Sequence, residues 1–492
     1  SEEEGMNRFA VIALALLAAT FAVSCRADND VGLLERSLAQ QDAETNAQHT
    51  WVVLVAGSTG YSNYRHQASV CHAYQVAHKF GVPDERIIVF MADDIAQSSQ
   101  NPFPGAVYNY FYIKGGVNVN VYPGVPHDYT GENATADNLV AVMTGNKPQG
   151  GSGKVLASKA TDNVFFYYDD HGNTDIIAMP HGRVFYAVKD LKPILETLSA
   201  KRMFKNLVMF VQACYSGSMF WRQNLPKNVY VATSAPGDDS AYACWYDSTL
   251  HTFVTSCWPR GWLRPMEEEN PAKVTFEQLF ADAWEFTSNS TEPCQYGDVD
   301  VKALTMKEFF GVSNRRGFSA PLAMQTRNVA LERNALNVPQ QDVPLALARL
   351  RFQETGSQED AAAVRREIVF RDHIDSIVRH VAEAAVPGYG ALLNTRVCTK
   401  CDASCDCFNT CMKSGTADTC KRHCCGYASC FPRDTADEDA LDCASTLVDA
   451  FLASCGKHNH DYLVSATKSF HRICRTPGVN IPAALEAIRS QC

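Results

Sequence analysis

Between residues 51 and 235 the chain repeats one grammar: short apolar runs rich in β-branched and aromatic residues alternate with stretches of helical spacing. The runs are Trp51–Ala56, Ile87–Met91, Val164–Tyr168, Leu207–Val211 and Val229–Thr233. Helical spacing occupies Gln67–Phe80 and Asp190–Leu198. Strands this continuously apolar are covered on both faces, as in a parallel sheet packed between helices. The pattern predicts an α/β fold with a largely parallel sheet flanked by helices. Residues 95 to 135 break the pattern with a long Gly-, Pro-, Asn- and Tyr-rich loop. A loop of that length in a compact domain more often serves function than connection.

A chain of 492 residues has room for more than one domain. The main α/β domain is expected over residues 48–318, a linker over 319–358 and a helical region over 359–492, from Glu359 onward and again over Ala440–Ser454 and Tyr462–Ile473. The N-terminus reads as a secretory signal over residues 6–27: Met6-Asn7-Arg8 precedes an apolar run from Phe9 to Val23, with cleavage expected after Ser24 or Ala27. That run is too short to span a bilayer comfortably, and no stable membrane anchor is expected. A net charge of −10 argues against a general nucleic-acid binder.

The cysteines agree with an oxidising route. Of 19, nine lie between Cys398 and Cys430, and four more follow at Cys443, Cys455, Cys474 and Cys492. The cluster over 398–430 reads as a disulfide-knotted insertion in preference to a zinc site. Cys71 and Cys244 read as buried free thiols, and Cys257 could pair with Cys294. Asn133-Ala-Thr135 and Asn289-Ser-Thr291 match the N-glycosylation pattern.

Two runs end in chemistry. Val164-Phe-Phe-Tyr-Tyr-Asp-Asp-His171-Gly172 finishes in a His, and Leu207-Val-Met-Phe-Val-Gln-Ala-Cys214 finishes in a Cys followed by Tyr-Ser-Gly-Ser. In open parallel sheets, function gathers at the carboxyl ends of strands. If the two strands are neighbours, an imidazole and a thiol meet there, as an acid/base partner and a nucleophile require. A helix opening at Ser216 would favour the thiolate through its dipole. The Gly172 and Cys214 N–H groups are natural oxyanion donors. No third ligand near either residue suggests a metal, and no cofactor is expected.

Several stretches together make the chain resemble the legumain (asparaginyl endopeptidase) family over residues 50 to 492. They include Asn63-Tyr-Arg-His-Gln-Ala, Asn101-Pro-Phe-Pro-Gly, Gly124-Val-Pro-His-Asp-Tyr-Thr-Gly, Asp170-His-Gly and Ala213-Cys-Tyr-Ser-Gly-Ser. The resemblance implies a caspase-like core, with His171 as general acid/base, Cys214 as nucleophile, Asn63 orienting His171 and Gly172 in the oxyanion hole. Arg65 and His66 would line the primary specificity pocket, together with Gln212, Ser240 and Ala241. It also implies a zymogen whose helical C-terminal region covers the site and leaves on acidification, in a lysosome- or vacuole-like compartment or outside the cell. It pairs Cys443 with Cys474 and Cys455 with Cys492, and implies protein or peptide substrates and cystatin-like inhibitors as partners. The processing site falls near Arg349–Asp360, with Asn328, Asn334 and Asn337 as upstream candidates.

The chain departs from the family where charge matters. Gln212 stands where an acid is usual, Ala241 replaces a pocket Ser, no acid stands at Ser256-Cys257-Trp258, and Tyr215 replaces an acid. Arg65 without balancing carboxylates favours a carboxylate over a carboxamide, by several kcal/mol if partly desolvated against about one in water. Gln212-Ala-Cys214 is also similar to the Gln-Ala-Cys of caspases, whose pockets take Asp. The opposing expectation is an acid from elsewhere that restores Asn specificity. A transpeptidase of the same family and a decayed, non-catalytic binding homologue are the alternatives to hydrolysis.

Overall fold

The structure is a computed structural model that describes residues 46–109, 117–287, 290–311, 327–328, 337–389, 438–456 and 461–492. The expected signal at 6–27, the cysteine cluster at 398–430 and Asn289 lie outside the described residues. Asn133 lies in a half-buried turn, Gly131–Asn133.

The strands, in chain order, are β1 (Thr50–Ala56), β2 (Ile87–Met91), β3 (Val117–Asn118), β4 (Tyr129–Thr130), β5 (Asn163–Asp169), β6 (Gly172–Asn173), β7 (Ile176–Ile177), β8 (Phe185–Tyr186), β9 (Asn206–Gln212), β10 (Val229–Thr233), β11 (Tyr242–Asp247), β12 (Thr252–Ser256), β13 (Cys294–Gly297), β14 (Arg327–Asn328) and β15 (Val338–Pro339). Seven form the central sheet in the order β13-β10-β9-β5-β1-β2-β4. All its pairings are parallel except β10 with β13 at one edge. The five apolar runs are the five inner strands, and each is buried almost throughout.

Helices cover both faces, as parallel pairing demands. The first three are α1 (Tyr64–Lys79), α2 (Ala136–Met143) and α3 (Lys192–Ala200). Next come α4 (Cys257–Glu268) and α5 (Phe276–Thr287). Alternation along the strands divides the core. Phe165, Tyr167, Val208 and Phe210 face α1, α4 and α5, where Trp258, Trp262 and Phe276 pack against them. Val164, Phe166, Leu207 and Met209 face α2 and α3, against Leu139, Ile194 and Leu198. Each such side chain, once buried, contributes about 1.5–3 kcal/mol. The helix α1 starts three residues before its predicted limit and is buried from Tyr64 to Ala77. It is sandwiched between the sheet and β12, so tertiary packing holds its first turn.

C-terminal helices follow: α6 (Val343–Thr355), α7 (Gln358–Ala385), α8 (Glu438–Cys455), α9 (Asp461–Ala466), α10 (Lys468–Cys474) and α11 (Ile481–Gln491). They bury Ile374, Val381, Leu447, Phe451, Phe470 and Ile488 together with Ile176, Val184 and Tyr186 from the α/β body. Cys443 is bonded to Cys474, and Cys455 to Cys492. Two cysteine expectations are overturned. Cys244 is bonded to Cys257, so Cys244 is no free thiol and Cys257 does not pair with Cys294. The bond ties β11 to the first residue of α4, which the two edge-sharing strands β11 and β12 bring together. Cys71 is free and buried. Among the described residues, no helix is long and apolar enough to cross a membrane.

Candidate active site

β5 and β9 are adjacent, parallel and in register, with Asp169 opposite Gln212. The Asp170 N–H donates to the Gln212 carbonyl at 2.9 Å, carrying the ladder one step further. His171 and Cys214 therefore leave neighbouring strand tips at matching positions. A Cβ placed on Gly172 would lie 2.6 Å from the Cys214 carbonyl oxygen. Any side chain there would wedge the two tips apart, which is why this position is glycine.

The His171 ring is held on two sides. Its Nε2 lies 2.9 Å from Asn63 Oδ1, at the entrance to α1. The His66 ring meets it edge-on, with centroids 5.0 Å apart. Asp170 Oδ1 accepts the His171 backbone N–H at 2.6 Å, and its Oδ2 lies 2.8 Å from His66 Nδ1. Burial, with the Arg65 charge adjoining, pushes His66 down to about 4, so Asp170 carries the charge of the pair. The His66 imidazole holds Asp170 below the usual carboxylate range although burial opposes it.

Cys214 is buried, and the Ala241 N–H donates to its Sγ at 3.3 Å. Burial pushes the thiol up to about 11, partly offset by the Ala241 and Ser240 contacts. This corrects the expectation of a thiolate favoured by a helix opening at Ser216. Tyr215 takes a left-handed conformation, φ 58°, and Ser216–Met219 makes only a single tight 3-10 turn. So short a turn supplies little dipole.

The cleft beside this pair is filled by the chain itself. Val338 and Pro339 add to β11 as an antiparallel strand, opposite Ala243 and Tyr242. The Gln340 N–H then donates to the Ala241 carbonyl at 2.9 Å. The Gln340 side chain enters a pocket formed by Arg65, His66 and Ser256. Its Oε1 accepts from Arg65 Nε at 2.7 Å and from Arg65 Nη2, and lies 2.9 Å from His66 Nε2. Its Nε2 faces Ser256 Oγ at 3.5 Å. Gln341 Oε1 lies 3.6 Å from Cys214 Sγ, and its Nε2 donates to Ser240 Oγ. Arg371, on α7, donates to the Gln341 carbonyl at 2.8 Å and to Asp342 Oδ1 at 2.6 Å.

Of the pocket residues named from sequence, Arg65, His66, Ser240 and Ala241 therefore contact this segment or its backbone. Gln212 is fully buried opposite Asp169 in the β5–β9 ladder, and neither of its side-chain polar atoms has a hydrogen-bond partner among the described residues. Sequence reasoning missed Gln340, Gln341 and Asp169. The last was visible as the first of two successive acids at the end of a buried strand. Arg349–Thr355 is helical in α6 and Asp360 lies in the first turn of α7, whereas Asn337 is exposed beside the cleft.

Residues 50–315 match the model of the Peptidase C13 family. Legumain of Homo sapiens is 37% identical over 358 residues, covering 72% of this chain and 77% of that protein. The vacuolar-processing enzyme of Ricinus communis is 36% identical over 376 residues, covering 71% and 72%. Legumain of Canavalia ensiformis is 34% identical over 350 residues, covering 67% and 71%. With the paired strand tips, the buried thiol and a cleft that takes an extended segment, these matches place the chain in the Peptidase C13 family, as a cysteine endopeptidase.

Proposed function

We propose that Cys214 is the nucleophile and His171 the general acid/base of an endopeptidase that cuts after Asn and/or Asp, made as a zymogen and opened in an acidic compartment. The observation that carries it is the seat of Gln340: an extended segment lies antiparallel on β11 and sends a carboxamide into the Arg65 pocket beside Cys214. A substrate bound in the same way puts its acyl-side residue in that pocket. His171 removes the thiol proton, and sulfur attacks the carbonyl carbon. The Gly172 and Cys214 N–H groups receive the developing oxyanion. Protonated His171 then gives its proton to the leaving amine, and water resolves the thioester. Asn63 keeps the imidazole in place.

The same contacts support latency. The high thiol pKa belongs to a covered cleft, and Arg371 clamps the covering segment from α7. Asn173 Nδ2 donates to the Val464 and Ser465 carbonyls, so the C-terminal helices sit against the loop that follows His171.

The test is labelling and cleavage. Acid-treated protein should react with a thiol-reactive peptide bearing Asn or Asp, and Cys214→Ala should lose both labelling and hydrolysis of Xaa-Asn and Xaa-Asp peptides. Labelling that survives Cys214→Ala refutes the assignment.

A further inference from the structure

Ser256 and Asp169 close the end of the pocket opposite Arg65. The Ser256 hydroxyl donates to Asp169 Oδ1 at 2.8 Å, and the Tyr167 hydroxyl donates to Oδ2 at 2.8 Å. Asp169, Gln212 and Ser256 are fully buried. A hydroxyl has one hydrogen. While Ser256 gives it to the carboxylate, only oxygen lone pairs face the pocket, and Gln340 Nε2 is what they meet. Arg65 supplies donors to the other end of the same carboxamide. The pocket thus accepts at one end and donates at the other. A carboxylate in this seat would set an anionic oxygen against those lone pairs, with a second carboxylate behind them.

We propose that Asp169, by holding the Ser256 hydrogen, makes this pocket select a carboxamide over a carboxylate on the acyl side of the cut bond, and that proton uptake by Asp169 relaxes the selection. The inference rests on the endopeptidase function proposed above and names the residues that set its specificity. Once protonated, Asp169 donates to Ser256 Oγ. Ser256 then turns its own hydrogen toward the pocket and donates to a substrate carboxylate, whose other oxygen stays on Arg65. Asp169 is a positioning residue, because it acts through Ser256.

The titratable and charged groups around Asp169 are Tyr167 and Tyr168 on its own strand, Asp170 just past the end of that strand, and Arg65 and His66 on α1 at the far end of the carboxamide. Burial pushes the Asp169 carboxyl up to about 7, and the adjoining Asp170 charge acts in the same direction. The hydrogen bonds from Tyr167, Ser256 and Ser69 act against it. Above that pH Asp169 is ionised and Asn is selected. As pH falls below it, Asp becomes acceptable.

The experiment measures kcat/KM for matched Xaa-Asn and Xaa-Asp peptides from about pH 5.5 to 8, above the range where the substrate's own carboxyl protonates, with activated wild type, Asp169→Asn and Ser256→Ala. In wild type the Asn/Asp ratio should climb with pH by roughly 10- to 100-fold, the factor one unmet buried hydrogen bond commands. Asp169→Asn supplies a permanent donor to Ser256, so its ratio should stay flat at the acid limit of wild type. Ser256→Ala removes the reading hydroxyl and should also flatten the ratio, which keeps the test open if Asp169→Asn does not fold. A ratio that climbs in both variants as it does in wild type overturns the inference while the endopeptidase function stands. Wild type that labels at Cys214 yet cuts neither peptide overturns both.

Discussion

Replacing Gln340 by Ala should open the cleft without acid. The side chain is held by two charge-assisted hydrogen bonds from Arg65 and by a contact with His66. Bonds to charged groups contribute about 1.5–3 kcal/mol each. Arg65 is fully buried, so truncation leaves a desolvated guanidinium with fewer acceptors, although its bond to the Ser62 carbonyl persists. Water entering the emptied pocket restores part of the loss. The backbone bonds to β11 and the Arg371 clamp are untouched. The net loosening is about 2–4 kcal/mol, which raises the open fraction roughly 30- to 800-fold. The assay is the rate of Cys214 labelling by a thiol-reactive peptide at neutral pH, below saturation, on the full-length chain. If Gln340→Ala labels no faster than wild type while acid-treated wild type labels readily, the segment is not what bars the cleft. Gln340→Asn sharpens the question. It keeps the carboxamide but shortens the side chain by one methylene, so filling the pocket draws the backbone toward Cys214. Cleavage after residue 340 is then expected in this variant and not in wild type.

Three further outcomes are expected. His471 is buried on α10, beside Asp175 and Arg222 of the α/β body and Arg475 of its own segment, and burial pushes it down to about 4. Docking of the C-terminal helices holds it neutral, whereas a released His titrates near 6.5, so docking is strongest above pH 6.5 and weakens as pH falls toward 4, by up to about 3 kcal/mol. His471→Asn should shift the acid midpoint of activation to lower pH, and an unmoved midpoint would discard this residue as a contributor. Gly172→Ala should abolish peptide hydrolysis and lower Tm, because its Cβ meets the Cys214 carbonyl; retained activity would show that the tips tolerate separation. Replacing Cys244 and Cys257 together by Ala opens a bridge spanning 13 residues and should destabilise by about 2–4 kcal/mol, read as a lower urea midpoint.

The fold was legible because its core strands are buried on both faces. Such strands advertise themselves as unbroken apolar runs, and Ile87–Met91 and Val229–Thr233 match to the residue. The His and Cys were legible as strand tips for the same reason, because parallel strands end at one edge of the sheet, but that β5 and β9 are neighbours is a tertiary fact. Boundaries set by tertiary packing were not legible. The first turn of α1 has no local signal and depends on the sheet and β12 around it. Nor was the turn after Cys214, where Ser-Gly-Ser suggested a helix and the left-handed Tyr215 prevents one. The Cys244–Cys257 bond was hidden because pairing depends on β11 lying against β12, a tertiary fact. Gln340 was read as linker, since a segment that adds to an existing edge needs only extended backbone and one fitting side chain.

The missing pocket charge shows how position along a strand can mislead about position in space. Followed along β9, the sequence loses an acid at Gln212, and a pocket with Arg65 alone looks cationic. Across the sheet, Asp169 stands directly opposite Gln212, on the same face. Adjacent strands lie about 4.8 Å apart, less than the reach of a Glu or Gln side chain. A carboxylate can therefore pass from one strand to its neighbour and still serve the same pocket, provided something bridges the difference, and Ser256 sits where that bridge is needed. The transfer changes the chemistry as well as the address. An acid touching Arg65 is held ionised by it, whereas Asp169, separated from the guanidinium by a hydroxyl and the bound side chain, stays sensitive to burial and so to pH. Specificity in this pocket then depends on a hydrogen's direction more than on net charge.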